Sequence, residues 1–275
     1  MPKIMLDAGH YGKYNPGVIK GYWESDMSWA LHNHLKKALE AYGFEVSVTR
    51  TNKDKDLGVY DRGLKAKGYD LFISLHSDGA ASEPPKRVSA FHPISGKGKD
   101  LAQKLADTVL NTMNLTKDKN WYAHVGTRAY SAAKPNTDYY GVIRGAVAAG
   151  SIGILIEHSF HTNKEACTWL MKDANLKKLA QAEAKVIADY YGMTKNEVLY
   201  RVQTGAFTNK KNATAMLTKV KAAGFKDAFM VKVDKLYKVQ VGAYANKANA
   251  TKMVKTVKSA GFEAFVTTET GDVVA

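Results

Sequence analysis

The last third of the chain contains one sequence pattern twice, and this repeat limits the possible folds more than any other feature. Each copy combines a strand-like run, a polar turn, an amphipathic helix that ends at a glycine and a second strand. A copy of about 37 residues is too small to bury a core alone. We therefore expect one small α+β domain (βαβ-βαβ), with a single sheet, both helices on one face and the other face free for a ligand. The matching segments are Tyr200–Phe207 and Tyr237–Tyr244, Asn212–Thr214 and Asn249–Thr251, and Lys221–Phe225 and Lys258–Phe262; the second strands are predicted at 228–233 and 264–268.

The repeat resembles the SPOR domain of bacterial cell-wall proteins from residue 199 to about residue 270. Both copies carry its Val-Gln-x-Gly-x-Phe/Tyr strand and an Ala-Gly-Phe helix end. The resemblance implies binding to peptidoglycan, preferentially to glycan strands without stem peptides, and so a targeting role. The candidate wall-binding residues are Gln203, Phe207, Gln240 and Tyr244. In the alternative interpretation, the two glutamines only pair within the sheet and the two aromatic rings only fill the core.

The net charge of +14 predicts an anionic partner. Residues 199–275 hold 13 Lys and Arg against 5 Asp and Glu, which is about +8 of the total. Peptidoglycan with anionic wall polymers fits this charge. Nucleic acid fits less well, because the lysines are spread singly or in pairs and no zinc knuckle, basic zipper or RNA-recognition signature is present. Solvated helix faces explain most individual lysines but not the excess over the whole chain.

The first 191 residues alternate strand-like and helix-like runs. This alternation predicts an α/β domain with a mainly parallel, twisted sheet and helices on both faces. The stretch 192–198 is interpreted as a linker, so the predicted domains are 1–191 and 199–275. The predicted strands are 4–6, 45–49, 71–75 and 153–156, and the predicted helices are 28–41, 99–113, 141–149 and 175–191.

Four short apolar segments of the first domain end in side chains that bind metal ions well. They end at His10, Glu24, His76 and Glu157, and three of them are strand-like. Because the carboxyl ends of neighbouring strands in an open α/β sheet converge on one crevice, we expect these side chains to meet there. Two imidazoles and one carboxylate form a zinc site with an open position, and the second glutamate is free to act as a base. The sequence therefore predicts a zinc hydrolase.

The first domain resembles the Amidase_3 family of N-acetylmuramoyl-L-alanine amidases over nearly all of its length. The resemblance implies that His10, Glu24 and His76 bind Zn²⁺ and that Glu157 is catalytic. It also implies that the bond cleaved is the amide between N-acetylmuramic acid and L-alanine in peptidoglycan. Four motifs occur in the family's order, at Asp7–His10, Glu24–Asp26, Ser74–Asp78, and Ile154–Glu157 with Phe160 and Asn163. Two residues stand where glycine is common in the family, Tyr11 and His158.

The ligand set also predicts the chemistry. Two neutral imidazoles and one carboxylate leave zinc with a net charge near +1, which lowers the pKa of a bound water from about 15.7 towards about 7. Glu157 is then expected to accept the water's proton and to deliver a proton to the leaving nitrogen of L-alanine. The alternative for Glu157 is a structural ion pair with Arg144 or Arg128.

Five further residues are weaker candidates near the site. Asp7 and Asp78 flank the predicted zinc-binding histidines and are expected to orient an imidazole through its second nitrogen. His161 follows the strand that ends in the catalytic glutamate, and His124 lies in a loop-like stretch that is expected to face the same sheet edge. Both are predicted to contact the substrate, and Arg144 is a further candidate for this role.

The beginning of the sequence shows no signal-peptide pattern, and no segment approaches the roughly 18 apolar residues of a membrane span. We therefore expect synthesis in the cytoplasm without membrane insertion, and action on the cell wall after release. Two routes stay open, a bacteriophage endolysin that leaves through a holin pore and a lysin released when a sporulating mother cell lyses. Two other functions also stay open, a wall-binding protein with an inert amidase head and another zinc amidohydrolase, such as a carboxypeptidase or deacetylase.

Overall fold

The computed structural model describes residues 1–195 and 199–274. The chain divides into two compact units, with the division between Asn196 and Glu197. Of the predicted linker 192–198, residues 196–198 lie outside the described residues. No helix in the described ranges is both long enough and apolar enough to cross a membrane.

The first unit is a mixed α/β structure. Its strands are β1 (Lys3–Ala8), β2 (Glu45–Val48), β3 (Leu71–Asp78), β4 (Arg87–Phe91), β5 (Tyr122–Gly126), β6 (Ala129–Ser131), β7 (Lys134–Asp138) and β8 (Ile152–Phe160). Its helices are α1 (Glu24–Glu40), α2 (Val59–Leu64), α3 (Lys99–Thr112), α4 (Gly141–Ala148), α5 (Lys164–Leu170) and α6 (Asp173–Tyr190), with a 3₁₀ turn at Leu115–Lys117.

Six of these strands form one sheet in the order β2-β1-β3-β8-β4-β5. Strands β2, β1, β3 and β8 are parallel, whereas β4 pairs antiparallel with β8 and parallel with β5. The chain passes from β1 to β2 on one side and returns to β3 on the other side of β1. The order of the strands therefore reverses between β1 and β3, which is the place where open α/β sheets bind ligands.

The two faces of this sheet carry separate apolar clusters, because successive side chains of a strand point to opposite faces. On one face Ile73 and Leu75 of β3 join the larger cluster with α1, α3, α5 and α6. On the other face Phe72 of β3 and Leu155 of β8 pack with Val142 and Ala146 of α4. The side chains that follow on this second face, at the carboxyl ends of the strands, are His76 and Glu157.

The predicted α/β class with a mainly parallel sheet and helices on both faces is confirmed. Each predicted strand and helix is present, with ends that differ by a few residues. Sequence reasoning missed β4 to β7 and α2. The stretch around His124 was predicted to be a loop, but it forms β5, an edge strand paired with β4. Ala123 and Val125 of this strand pack on an apolar cluster, but two alternating apolar residues are too few to indicate a strand.

The second unit is an antiparallel sheet covered by two helices. Its elements are β9 (Tyr200–Phe207), α7 (Lys210–Ala222), β10 (Phe229–Val233), β11 (Leu236–Tyr244), α8 (Lys247–Ser259), β12 (Phe265–Thr267) and β13 (Asp272–Val274). The strand order is β12-β9-β11-β10-β13. Each copy of the repeat is a split βαβ unit, because a strand of the other copy lies between its own two strands. Neither copy can therefore form its sheet without the other.

Both helices of this unit pack on one face of the sheet, as predicted. Val220 of α7 and Val257 of α8 share one apolar cluster with Val202 of β9 and Val241 of β11. Strand β13, which pairs with β10 at the sheet edge, was not predicted from the sequence.

Candidate active site

Three side chains from separate elements form a group that could hold a metal ion. His10 lies just after β1, Glu24 is the first residue of α1, and His76 lies near the end of β3. One ligand atom from each lies within 4.8 Å of the other two. Glu24 Oε1 is 3.1 Å from Nε2 of His10 and 2.8 Å from Nδ1 of His76. The sequence-based prediction of this trio thus corresponds to one cluster.

The carboxylate of Glu24 is buried and lies at the centre of the cluster. Its Oε2 accepts a hydrogen bond of 2.6 Å from Asn15 Nδ2, and its Oε1 accepts one of 3.1 Å from the backbone N–H of Ser77. Burial alone would raise the pKa of Glu24, but the hydrogen bonds and charges of His10 and His76 outweigh burial and lower the pKa far below its usual range. The site therefore holds this group as a carboxylate.

His10 stands in a backbone conformation that few residues adopt, with φ of 56°. The guanidinium of buried Arg62 holds this turn, since it donates to the carbonyl of Ala8 at 3.1 Å and to that of His10 at 3.2 Å. The ring of Tyr14 stacks on the imidazole with 4.7 Å between centroids. Preceding Gly9 has no space for a side chain, because a Cβ there would lie 2.5 Å from the His76 ring.

His76 is oriented from behind by a short chain of hydrogen bonds. Its Nε2 lies 3.1 Å from Ser74 Oγ, and Ser74 Oγ donates to Asp7 Oδ2 at 2.7 Å. Asp7 is fully buried, and its Oδ1 also accepts a hydrogen bond of 2.6 Å from Thr49 Oγ1. Because Ser74 gives its proton to Asp7, its oxygen accepts the proton of Nε2 and leaves the lone pair of Nδ1 for a metal. Asp7 therefore orients the imidazole through Ser74.

Asp78 does not form the predicted contact with an imidazole among the described residues. Its Oδ1 accepts a hydrogen bond of 2.8 Å from the backbone N–H of Gly79 instead. The pairing of β3 with β8 is irregular here, since Asp78 lies two positions after His76 while their partners Glu157 and Phe160 lie three positions apart. Asp78 still lines the cleft beside the site, and burial is the main cause of the raised pKa of its carboxyl.

Glu157 lies beside the cluster, in register with His76 on the adjacent strand. In the described part of the chain its Oε2 is buried without a hydrogen-bond partner. Burial, followed by the negative charges of Glu24 and Asp78, raises the pKa of Glu157 well above its usual range, and Arg87 opposes this only in part.

The alternative ion pair of Glu157 does not form within the described ranges. Arg144 donates to the backbone carbonyls of Asp138 and Tyr139, at 2.8 Å and 2.6 Å. The guanidinium of Arg128 lies over the Tyr139 ring, 3.6 Å from its centroid. Glu157 therefore faces the cleft as an unpaired acid.

A cleft of about 940 Å³ opens over this group. Its lining includes three of the weaker candidates, Asp78, His161 and Arg144. His161 is buried, its Nδ1 lies 2.8 Å from the carbonyl of Ser77, and the Tyr22 ring stacks on it at 6.0 Å. His161 therefore packs beside Glu24 at the edge of the cleft.

His124 lies outside this lining. It is aligned with Ser89 of β4 and packs against the Phe91 ring at 5.9 Å. Burial and the charge of Arg87 lower the pKa of its imidazole. The predicted substrate contact of His124 has no support in the geometry, because two strands separate it from β3.

Sequence reasoning missed several residues that shape the site. Asn15 contacts both Glu24 and His10, with a left-handed backbone (φ 53°) that asparagine tolerates better than most residues. Its position before Pro16 in a polar stretch indicates a turn but no ligand contact. The other missed residues are Tyr14, Ser77, Arg62, Tyr130, Tyr139 and Tyr140, for which single positions in the sequence carry no signal.

Comparison with known proteins places this site in a family. The model of the Amidase_3 family, described as N-acetylmuramoyl-L-alanine amidase, matches residues 4–189. The chain belongs to this family. A second family model, the SPOR domain, matches residues 174–269. The chain is thus a peptidoglycan amidase with a SPOR domain, as the sequence motifs predicted.

Relatives of this amidase include proteins named for different roles. The sporulation-specific N-acetylmuramoyl-L-alanine amidase of Bacillus subtilis is 27% identical over 240 residues, which cover 84% of this chain and 86% of that protein. The endolysin of Bacillus phage SPP1 is 25% identical over 228 residues, or 82% of this chain and 76% of the endolysin. The catalytic domain of the amidase CwlV from Bacillus (Paenibacillus) polymyxa shares the fold, with a TM-score of 0.59 and 18% identity over 70% of this chain and all of that domain.

The four candidate wall-binding residues of the SPOR domain lie in its central strands. Gln203 of β9 and Gln240 of β11 are paired in register, and both are buried. Side-chain amide atoms of both lack hydrogen-bond partners in the described part of the chain. Phe207 and Tyr244 pack against the two apolar clusters of this unit, as the alternative interpretation expects. Tyr244 also lines a surface depression of about 570 Å³.

The substitution Ser74→Ala tests the hydrogen-bond chain behind His76. It removes the partner of Nε2 while all three ligand side chains remain, so zinc affinity is expected to fall by about 10- to 100-fold. Competition with a chromophoric chelator measures this affinity. Ser89→Ala is the matched control, because Ser89 is equally buried in the same sheet and its Oγ has no described partner. Equal zinc affinities of the two variants would contradict the orienting role of Ser74.

Proposed function

We propose that this amidase cleaves the bond between N-acetylmuramic acid and L-alanine by a zinc-dependent mechanism in which Glu157 is the general base. The observation that carries the proposal is the position of Glu157, an unpaired acid in register with a ligand histidine and in the same cleft. Bound zinc would supply an activated water and polarise the amide carbonyl.

The donor set fits zinc. His10 and His76 offer imidazole nitrogens and Glu24 offers a carboxylate oxygen, which are the atoms that catalytic zinc sites use. Three protein ligands leave a position for water or substrate. The hydrogen-bond partners of Glu24 and His76 support the same assignment, since zinc ligands usually bond a second layer of polar groups.

The surroundings of Glu157 suit a group that accepts a proton and later returns it. A carboxyl with an ordinary pKa holds a proton too weakly to donate it near neutral pH. Burial and two neighbouring carboxylates raise the pKa of Glu157, which makes its carboxylate a stronger base and lets it hold the accepted proton until the leaving nitrogen takes it. We assign proton transfer from the attacking water to the leaving nitrogen of L-alanine to this side chain.

Two other functions would be recognised by the digestion experiment described below. A wall-binding protein with an inert head would not need the complete set of three ligands and an adjacent acid. Another zinc amidohydrolase, such as a carboxypeptidase or deacetylase, would use the same chemistry on another bond. The family match from residue 4 to residue 189 favours the muramoyl amide.

We propose two routes by which the protein reaches the wall, through a holin pore or by lysis of a sporulating mother cell. The relatives include a sporulation-specific amidase and a phage endolysin, so the similarity favours neither route. We infer in either case that the chain acts on peptidoglycan outside the cytoplasm in which it is made. Anionic wall polymers are proposed as additional partners because of the charge of +14.

Digestion of purified sacculi identifies the bond that is cut. Mass spectrometry of the products should show new amino termini on L-alanine, and chelation should abolish them until zinc is restored. New termini at other residues would indicate a different amidohydrolase. Binding to sacculi without any product at any zinc concentration would indicate an inert head.

The substitution Glu157→Gln separates chemistry from metal binding. The amide keeps the shape of the side chain but cannot accept the proton, so turnover should fall by a factor of about 10² to 10⁴. Zinc content, measured by atomic emission, should stay near one per chain. The control is Glu165→Gln, the same change at an exposed position in α5. A turnover near that of the unmodified protein would move the role of base to another residue.

Separation of the two units tests targeting. Residues 199–275 contain their own apolar clusters and should fold alone and sediment with sacculi. Residues 1–191 should hydrolyse soluble muropeptides normally but intact walls more slowly, because tethering raises the local substrate concentration. A loss of sedimentation at high salt would indicate anionic polymers, whereas persistence would indicate glycan recognition. Equal lysis of intact walls by the fragment and the full chain would reject the targeting role.

A further inference from the structure

One wall of the cleft is built by the segment from Arg128 to Arg144. It contains β6 and β7, which pair antiparallel with each other in a sheet of their own, and the first turn of α4. Tyr130, Tyr139 and Tyr140 of this segment line the cleft together with His76 and Glu157. These side chains therefore lie in the same cleft as the candidate metal ligands.

Arg144 is the cation of this wall, and its position is fixed by several contacts. One nitrogen, Nη1, donates to the carbonyls of Asp138 and Tyr139. The guanidinium lies over the Tyr130 ring, 5.0 Å from its centroid. Among the residues that the structure describes, its other nitrogens make no hydrogen bond, so donors remain for a ligand in the cleft. A guanidinium held in this way matches a carboxylate with little further loss of entropy.

The segment offers positive charge without an exposed carboxylate to neutralise it. It contains Arg128, Lys134 and Arg144 and a single acidic residue, Asp138. Asp138 is buried, and its Oδ1 accepts a hydrogen bond of 2.8 Å from the backbone N–H of Ile94. The lining of the cleft therefore combines the carboxylates beside the metal ligands with one guanidinium, that of Arg144.

We propose that Arg144 binds a free carboxylate of the stem peptide and makes the enzyme selective for acidic peptides. This inference rests on the proposed function. The carboxyl of N-acetylmuramic acid is consumed in the amide that is cleaved, and the sugars of the glycan carry no other carboxylate. A carboxylate that reaches Arg144 while the amide lies at the metal ligands therefore belongs to the peptide beyond L-alanine. The Tyr130 ring lies against one face of the guanidinium and supports its position by a cation–π contact.

Two soluble substrates test this assignment on the zinc-loaded full-length protein. One is N-acetylmuramoyl-L-alanyl-D-glutamate with both carboxylates free, and the other is the same compound with both carboxylates amidated. We expect the acid to have a kcat/KM about 10-fold or more above that of the diamide, mainly through a lower KM. In Arg144→Gln this ratio should fall below about twofold, because kcat/KM for the acid falls towards the value for the diamide.

Arg128→Gln is the matched control, because it removes a guanidinium from the same segment but outside the cleft lining. It should keep the preference for the acid. Arg144→Lys should keep only part of the preference, since an ammonium lacks the planar fork. If Arg144→Gln fails to fold, Arg144→Lys and the unmodified protein decide the outcome. Equal kcat/KM values of the unmodified protein for acid and diamide, or a full preference in either Arg144 variant, would overturn the proposal. Cleavage of neither substrate at the muramoyl amide would instead reject the proposed function.

Discussion

The structure of the catalytic unit depends on one buried negative charge, the carboxylate of Glu24. An unpaired carboxylate in the protein interior costs several kcal/mol, and its neighbours must compensate that cost. Here the compensation comes from different parts of the chain, with His10 after β1, Asn15 in the following turn and His76 with Ser77 at the end of β3. The position of Glu24 at the first turn of α1 adds the favourable field of the helix N-terminus. The same arrangement that satisfies this charge also brings three metal-binding atoms together.

The parallel sheet then determines what lies around the charge. Asp7, Ser74, His76 and Glu157 all point to the face that packs on α2 and α4, since apolar residues between them in sequence point to the opposite face. Asp7 and Ser74 are aligned in adjacent strands, and so are His76 and Glu157. A shift of one residue in either pairing would turn one partner of each pair into the apolar core. The register of β1, β3 and β8 is therefore a requirement of the site as well as of the fold.

The sequence was sufficient for those parts of the fold and site whose signals are local. The predicted strands and helices have clear apolar periodicity, and the ligand residues follow directly from strand ends and ordered motifs. Contacts between distant residues were not accessible in this way. Asp7 and Asp78 looked equivalent beside their histidines, yet only Asp7 reaches an imidazole, through Ser74. The segment of β6 and β7 lacks an apolar face, so neither its hairpin nor its position over the cleft could be predicted from periodicity.

His158 stands where glycine is common in the family, and its contacts give a structural reason for this departure. It points to the face opposite Glu157, where the ring lies between the carbonyl of His76, 2.8 Å from Nδ1, and the carboxylate of Glu183, 3.0 Å from Nε2. Both ring nitrogens face acceptors, and His158 and Glu183 are fully buried. The two groups must therefore share enough protons to supply both hydrogen bonds, either as an imidazolium beside a carboxylate or as a neutral pair with a protonated acid. In both states this bridge ties the backbone of His76 to α6. A glycine at position 158 would leave the carbonyl of His76 without this contact, so the histidine stabilises the ligand strand from the side that faces away from the cleft.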